Sequence, residues 1–452
     1  MQAIALIVAL SLAVLSYTLN ATMISPLLPD IAGQFRVGSA DISLVSSLFF
    51  LSGSVAGIVL TRWSDFIGRR RMLLGALATT SLGTLICIIA PTLPLLLGGR
   101  VLQGAASAAF QLSYIVLVEM LTRAQFSVAL GVITAVNGGF GGIDGYLGGL
   151  LARIYGYRSV FVCILVVGMI AIVCVQKTLT QQAAPRVGEK MDWRGAASLS
   201  AGLVCLMSTL SAGSAVGWLA PLPVSLLLAA ILCFWLFWRV ESGQRFPLIN
   251  VAHFRSRQIW PILATTILTL ASVFATVNFT IVLLSQNKDI GFGLSPARSA
   301  LMFLTPPALI GVVSAPLSGW IANRWGWVRT MRVGISCCIL TLGIIALFPV
   351  QQGTVFLCVA ALGIFYYGLA LTTVNGLGVF LSPAEAPAAL PGLNGAAFGI
   401  GASLGIAIVA PFVAQGDLAG YNLALWTSVA IAIAALAASC FVVHPALETA
   451  KA

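Results

Sequence analysis

Apolar residues run along this chain in stretches of about twenty, separated by short polar interruptions, from one end to the other. The stretches fall at roughly 3–25, 42–62, 72–91, 95–120, 126–152, 158–176, 194–215, 221–240, 258–285, 296–321, 330–349, 354–380, 390–414 and 422–443. About twenty residues rising 1.5 Å each is the length that crosses the hydrocarbon core of a bilayer. Backbone groups in lipid have no water to bond, so each stretch must close its own hydrogen bonds as a helix. The pattern predicts an all-α polytopic membrane protein with fourteen spanning helices. The longest polar gaps, 177–193 and 241–257, are the two linker candidates. The opening stretch lacks the basic n-region and small-residue cleavage site of a removable signal, so it is expected to be the first span.

Composition agrees with the pattern. The chain is 60% hydrophobic and 8% charged, whereas soluble domains carry about a quarter charged residues. A net charge of +11 does not point to nucleic acid, because the basic residues sit in clusters between apolar stretches and form no continuous face. With the N-terminus inside, seventeen Lys and Arg fall in cytoplasmic segments and five, Arg36, Arg153, Arg158, Lys288 and Arg298, fall outside. Positive charge collects on the cytoplasmic side of membrane proteins, so both termini are expected in the cytoplasm of a cell-membrane protein. The nine cysteines all lie in apolar segments without CxxC or Cys/His spacing, which points to helix packing and not to metal or redox chemistry.

Internal repetition adds more than any single motif. Asn20 and Thr22 recur as Asn278 and Thr280, 258 positions on. The segment Asp65-Phe66-Ile67-Gly68-Arg69-Arg70-Arg71 recurs at the same offset as Asn323-Arg324-Trp325-Gly326-Trp327-Val328-Arg329. Asn137, Gly138, Gly142, Ile143, Leu147 and Gly148 reappear 257 positions later as Asn394, Gly395, Gly399, Ile400, Leu404 and Gly405. Three matches in order predict two homologous halves, residues 1–176 and 258–452, with an inserted helix pair in 177–257. The Asn-x-Thr triplets also fit a glycosylation acceptor, but both lie inside apolar stretches, where no glycan fits.

The loop after the second span, Asp65-x-x-Gly68-Arg69-Arg70-Arg71, resembles the cytoplasmic signature Gly-x-x-x-Asp-Arg-x-Gly-Arg-Arg of the major facilitator superfamily. It departs at Thr61 and Phe66, and the second copy has the leading Gly319 and Arg324 but carries Asn323 for the acid. Arg100-x-x-Gln103-Gly104 is similar to the superfamily's second signature, and Asp144-Gly145-Tyr146-Leu147-Gly148-Gly149 to its exporter element Gly-Pro-x-x-Gly-Gly. The inserted pair, Met191-Asp192-Trp193-Arg194-Gly195 and the run Phe246-Pro247-Leu248-Ile249-Asn250 resemble the fourteen-spanner drug/proton antiporter branch. That branch often has an Asp near the end of span 1, where this chain has Asn20. The resemblance implies two rocking six-helix bundles, proton coupling and drug efflux. It also implies that Asp65, Gly68, Arg69, Arg70 and Arg71, with Asn323, Arg324, Gly326 and Arg329, latch the cytoplasmic gate. A solvated charge cluster that sets topology is the plainer reading of the same residues.

Among the few ionisable residues at membrane depth, Asp144 stands out, because burying a carboxylate is expensive and its repeat partner is Gly401. Arg100 is the deep basic residue, at a depth from the outer surface similar to that of Asp144. The two are expected to interact, directly or through polar neighbours such as Gln103, and to couple protonation to movement. Static helix packing is the alternative. Substrate contacts are expected from uncharged polar and aromatic residues in a cavity between the halves: Asn20, Gln111, Tyr114, Asn137, Asn278, Tyr366, Tyr367, Asn375 and Asn394. Each alone also fits plain interhelical hydrogen bonding. One acid and one base suit a neutral or singly charged amphipathic organic molecule, exported in exchange for protons. Import of a polar metabolite with protons is the second possibility. The two histidines, His253 and His444, form no metal cluster, and no phosphate-binding loop or nucleophile elbow occurs. A monomeric carrier without metal, cofactor or enzymatic activity is expected.

Overall fold

The helices of this chain start and stop where glycine, proline and capping acids dictate. The computed structural model describes residues 2–443 except 25–26, 38, 140–142, 180–190, 244–258, 295 and 383–388. Every regular element among the described residues is helical. Along the chain run α1 (Gln2–Thr22), a short α2 (Leu28–Phe35), α3 (Ser39–Ile67), α4 (Arg69–Ile89), α5 (Leu93–Gln103), α6 (Ala106–Met120), α7 (Arg123–Gly139), α8 (Asp144–Tyr155) and α9 (Arg158–Thr178). The hairpin α10 (Trp193–Val216) and α11 (Pro221–Ser242) follows. Then come α12 (Trp260–Gln286), α13 (Ala300–Trp325), α14 (Trp327–Leu347), α15 (Gln352–Phe380), α16 (Ala389–Val413) and α17 (Leu418–Ser439).

Twelve of these described segments, α5 and α6 counting as one, are long and apolar enough to cross a membrane. Two of the fourteen expected spans are not among them. The stretch 126–152 is divided into α7 and α8 on either side of 140–142, and 194–215 corresponds to α10, a helix rich in glycine and serine. The linker segments 180–190 and 244–258, with the Phe246–Asn250 run, lie outside the described residues.

Gly68 between α3 and α4 has φ 94°, and Gly326 between α13 and α14 has φ 100°. That backbone strains any residue with a Cβ, so the two repeated loop sequences make the same corner. Asp192 caps α10 by accepting from the Arg194 and Gly195 amides at 3.0 Å, and Asp417 caps α17 from Gly420 at 2.8 Å. Pro221 and Pro261 stand in the first turn of their helices, where a missing N–H costs nothing.

Early and late helices meet through a shared apolar core in which Phe126 and Leu130 of α7 pack with Trp327 of α14 and Val374 of α15. The closest approach joins α7 to α13. A Cβ at Gly131 would run into the Pro316 and Ala315 backbone, and one at Gly319 into the Ser127 carbonyl. Gly392 of α16 lies likewise against the backbone of Gly57 and Ile58 in α3. These contacts lie toward the end of the molecule that carries Arg69–Arg71, here called the basic end. Among the described residues, π-helical turns occur only in the later helices, at Leu270–Phe274, Thr276–Thr280, Ala300–Leu304 and Gly363–Leu371.

Candidate functional site

Asp144 begins α8 and is 1% exposed. Its carboxylate accepts from the hydroxyl of Thr22, the last residue of α1, and from the Gly145 amide at 2.7 Å. No cation lies within ion-pair distance of it among the described residues. What surrounds the acid is a hydroxyl and the positive end of its own helix dipole. Its repeat partner shows what the substitution changes. Gly401 lies directly on the Ile267 backbone, whereas Asp144 places a carboxylate against the first helix. Four residues on, the repeated glycines behave alike: Gly148 lies on the Met23 carbonyl and Gly405 on Ala271, with no room for a Cβ at either.

Arg100 is fully buried in α5. It donates to the Val45 carbonyl at 2.7 Å, the Asn20 carbonyl at 3.1 Å and Gln103 Oε1 at 2.7 Å, and Gln103 passes a bond to Thr84 at 2.9 Å. The guanidinium lies 4.6 Å from the Phe49 ring centroid. Arg100 and Asp144 therefore make no direct contact. They grip the same last turn of α1, one at Asn20 and the other at Thr22.

The expected polar residues divide into three groups. Asn375 of α15 donates to the Tyr114 hydroxyl of α6 at 3.1 Å, a bond between uncharged groups 261 residues apart. Gln111, three residues before Tyr114, lies against Gly395, and the neighbouring Asn394 accepts from Thr266 at 2.7 Å. Asn137 accepts from Thr18 at 3.3 Å. By contrast Asn20 and Asn278 each bond the carbonyl four residues back in their own helix, at 2.7 and 3.2 Å. Tyr366 is buried within the later helices, packed with Leu342 and Val359 in a core separate from these contacts.

At the basic end Asp65 pairs with Arg62 at 2.5 Å and Arg69 at 2.6 Å, Arg69 reaches Glu119 at 3.2 Å, and Arg70 donates to the Gln176 carbonyl at 3.1 Å. All of these partners precede residue 180. At the second corner Arg324 stacks 3.9 Å over Trp320, and Asn323 Oδ1 is buried without a hydrogen bond. Early and late helices are bridged here by rings instead: Phe380 lies 5.0 Å from both Phe126 and Trp327. Sequence reading missed Thr22, Phe126 and Phe380 as site residues. Thr22 had a signal, since it belongs to a repeated Asn-x-Thr triplet, while the two rings look like any other apolar residue. A cavity of about 610 Å³ lies apart from all this, at the opposite end between α10 and α12, α16 and α17, lined by Trp218, Phe279, Asn287 and Tyr421.

Comparison with known proteins fits this arrangement. The chain is 35% identical over 417 residues to the uridine/deoxyuridine transporter of Lactococcus lactis subsp. cremoris (strain MG1363), covering 90% of this chain and 86% of that protein. It is 27% identical to the tetracenomycin C resistance and export protein of Streptomyces glaucescens, covering 91% and 76%. It is 26% identical to the multidrug resistance protein Stp of Mycobacterium tuberculosis (strain ATCC 25618 / H37Rv), covering 90% and 75%. The crystal structure of the human organic anion transporter MFSD10 (TETRAN) superposes with a TM-score of 0.70, covering 97% of this chain and 99% of that one at 14% identity, a likeness of fold alone. Residues 10–406 match the Major Facilitator Superfamily. Helices, repeated glycine corners and relatives agree: the chain belongs to the Major Facilitator Superfamily, as a multi-pass transporter on its all-helical fold.

Proposed function

We propose that the chain is a proton-coupled secondary transporter of small uncharged polar organic solutes, nucleosides among them, working by alternating access. In this reading residues 1–176 and 258–452 are two six-helix bundles and 177–257 carries the inserted pair. The chain then crosses the membrane fourteen times, α7 and α8 forming one broken span. The basic end faces the cytoplasm, in keeping with the distribution of Lys and Arg. Packing of α7 on α13 and the Phe126, Trp327 and Phe380 rings close the passage there, which is the outward-facing state. Asp65 and its arginines stiffen the corner between α3 and α4, so that the first bundle moves as a unit.

One observation carries the proton coupling: Asp144 is buried with a hydroxyl as its side-chain partner and, among the described residues, no cation beside it. A buried carboxylate without a counter-ion is costly, and uptake of a proton removes that cost. Binding and release of that proton changes what holds the last turn of α1, and so links the proton to movement of the wall. The substrate class follows the 35% relative and the uncharged lining, which offers amides and hydroxyls but no free charge. Efflux of amphipathic compounds is the second reading, favoured by the 26–27% relatives that carry resistance names.

Proteoliposomes with an imposed pH gradient and radiolabelled uridine test the first reading. Wild type is expected to accumulate solute beyond equilibrium, and Asp144→Asn only to equilibrate it. Retention of gradient-driven accumulation by the variant would remove the proposed role of Asp144. The direction of movement relative to the protons separates uptake from efflux.

A further inference from the structure

The polar groups where early and late helices meet are uncharged, and they come from both sides. Gln111 and Tyr114 stand three residues apart on α6, so they share a face. Asn375 of α15 reaches across to the Tyr114 hydroxyl. Across from Gln111, Gly395 of α16 has no side chain, and a Cβ there would collide with the Gln111 carboxamide. The bare backbone at 395 is what gives that carboxamide its room. All three polar side chains belong to residues only 2–3% exposed.

Their hydrogen-bonding capacity is only partly used. A carboxamide offers two donors and an acceptor oxygen with two lone pairs. Asn375 uses one N–H on Tyr114, and Gln111 makes no side-chain hydrogen bond among the described residues. No atom of Gln111 or Asn375 is among the side-chain atoms that are fully buried without a hydrogen bond, so the spare capacity is open to something that arrives from outside the chain. Beside it stands an aromatic wall. Phe110 stacks on Tyr17 of α1 with centroids 5.0 Å apart and planes at 16°, and Tyr114 meets Phe110 edge-on at 4.9 Å. The deep cation Arg100 donates through Nε and Nη1 to two backbone carbonyls and Gln103 of the early helices, while its Nη2 is buried without a hydrogen bond.

A solute that uses all of these features is flat, uncharged and edged with alternating donors and acceptors, which describes a nucleobase. We propose that Gln111, Tyr114 and Asn375 bind the base of a nucleoside, with the carboxamides on its hydrogen-bonding edge and the ring against the Tyr17–Phe110 wall. The proposal rests on the nucleoside reading above. A uracil edge presents an N3–H between two carbonyl oxygens, and a carboxamide matches it with an oxygen and an N–H side by side. The Asn375–Tyr114 bond is the contact that the base replaces, so a bound solute links the bundles in place of a direct bond. A nucleotide is rejected, because its charged phosphate would lose its water beside side chains that carry no charge.

The test is direct binding to the purified protein in detergent, without a gradient, using uridine, 3-methyluridine and uridine 5′-monophosphate. Uridine is expected to bind at least tenfold tighter than either of the others, since a site built to pair with an N–H rejects the analogue lacking it. Gln111→Ala and Asn375→Ala are each expected to weaken uridine at least tenfold while changing 3-methyluridine less than threefold. Equal affinity of wild type for uridine and 3-methyluridine overturns the proposal, and this comparison needs no variant to fold. So does unchanged uridine affinity in both alanine variants. If uridine fails to bind while the pH gradient still drives another solute, the base site is wrong and proton coupling stands. If the binding pattern holds but no gradient drives uridine, the base site stands and the coupling fails.

Discussion

Thr22 is the side chain that Asp144 depends on, and its role can be separated from that of the acid. Valine has nearly the same shape as threonine but no hydroxyl, so Thr22→Val leaves one carboxylate oxygen in a buried place without its donor. An unsatisfied buried group of this kind costs about 1–3 kcal/mol. Thr22→Val is therefore expected to lower stability in detergent by that amount, and Thr22→Ser to restore most of it, as read from unfolding curves. Equal stability of the valine and serine variants would mean that the contact is incidental. The acid and Arg100 were legible in the sequence because ionisable residues are scarce inside apolar stretches, where each one needs a reason. Their partners were not. A bond between residues 122 apart depends on how two helices lie against each other, and periodicity within one helix carries no record of that. Hence Arg100 and Asp144, matched by depth alone, were expected to interact directly or through polar neighbours, and the structure has them hold one turn of α1 at two residues, Asn20 and Thr22.

At the scale of the helices, the joint between α7 and α13 is the contact that, in the proposed cycle, keeps the basic end shut. It is made by backbone touching backbone at Gly131 and Gly319, and a larger residue cannot be absorbed by turning a side chain aside. Gly319→Leu is expected to force the two helices apart at the basic end and favour the opposite conformation. Spin labels on the exposed Arg71 and Trp325 report this as a longer distance, and an unchanged distance distribution would show that the joint does not hold the closed state. Element types and most boundaries could be read from the apolar stretches, and the glycine corners from their repetition. Gly319 stands out as the leading glycine of the second signature copy, but Gly131 could not be singled out among 45 glycines, because close packing between distant helices leaves no local mark. The stretch 126–152 shows the same limit: it looks continuous by hydropathy, and the structure divides it into α7 and α8 beside the residue that carries the carboxylate.

Across the whole molecule, similar sequence blocks have been put to different mechanical use. Wide turns interrupt α12, α13 and α15, while the described spans before residue 180 contain none. A π turn spreads one extra residue around the axis and weakens the local hydrogen bonding, so the helix can tighten or loosen there without unravelling. Amide hydrogen exchange is expected to be faster over 363–371 than over the buried α6 segment 106–117, and to slow when solute binds. Equal protection of the two segments would count against this. If it holds, the stroke is lopsided: one bundle serves as a stiff anvil that keeps proton and guanidinium in register, and the other reshapes itself around the cargo. Changes of cargo preference would then accumulate in the pliant bundle, leaving the machinery that reads the gradient untouched.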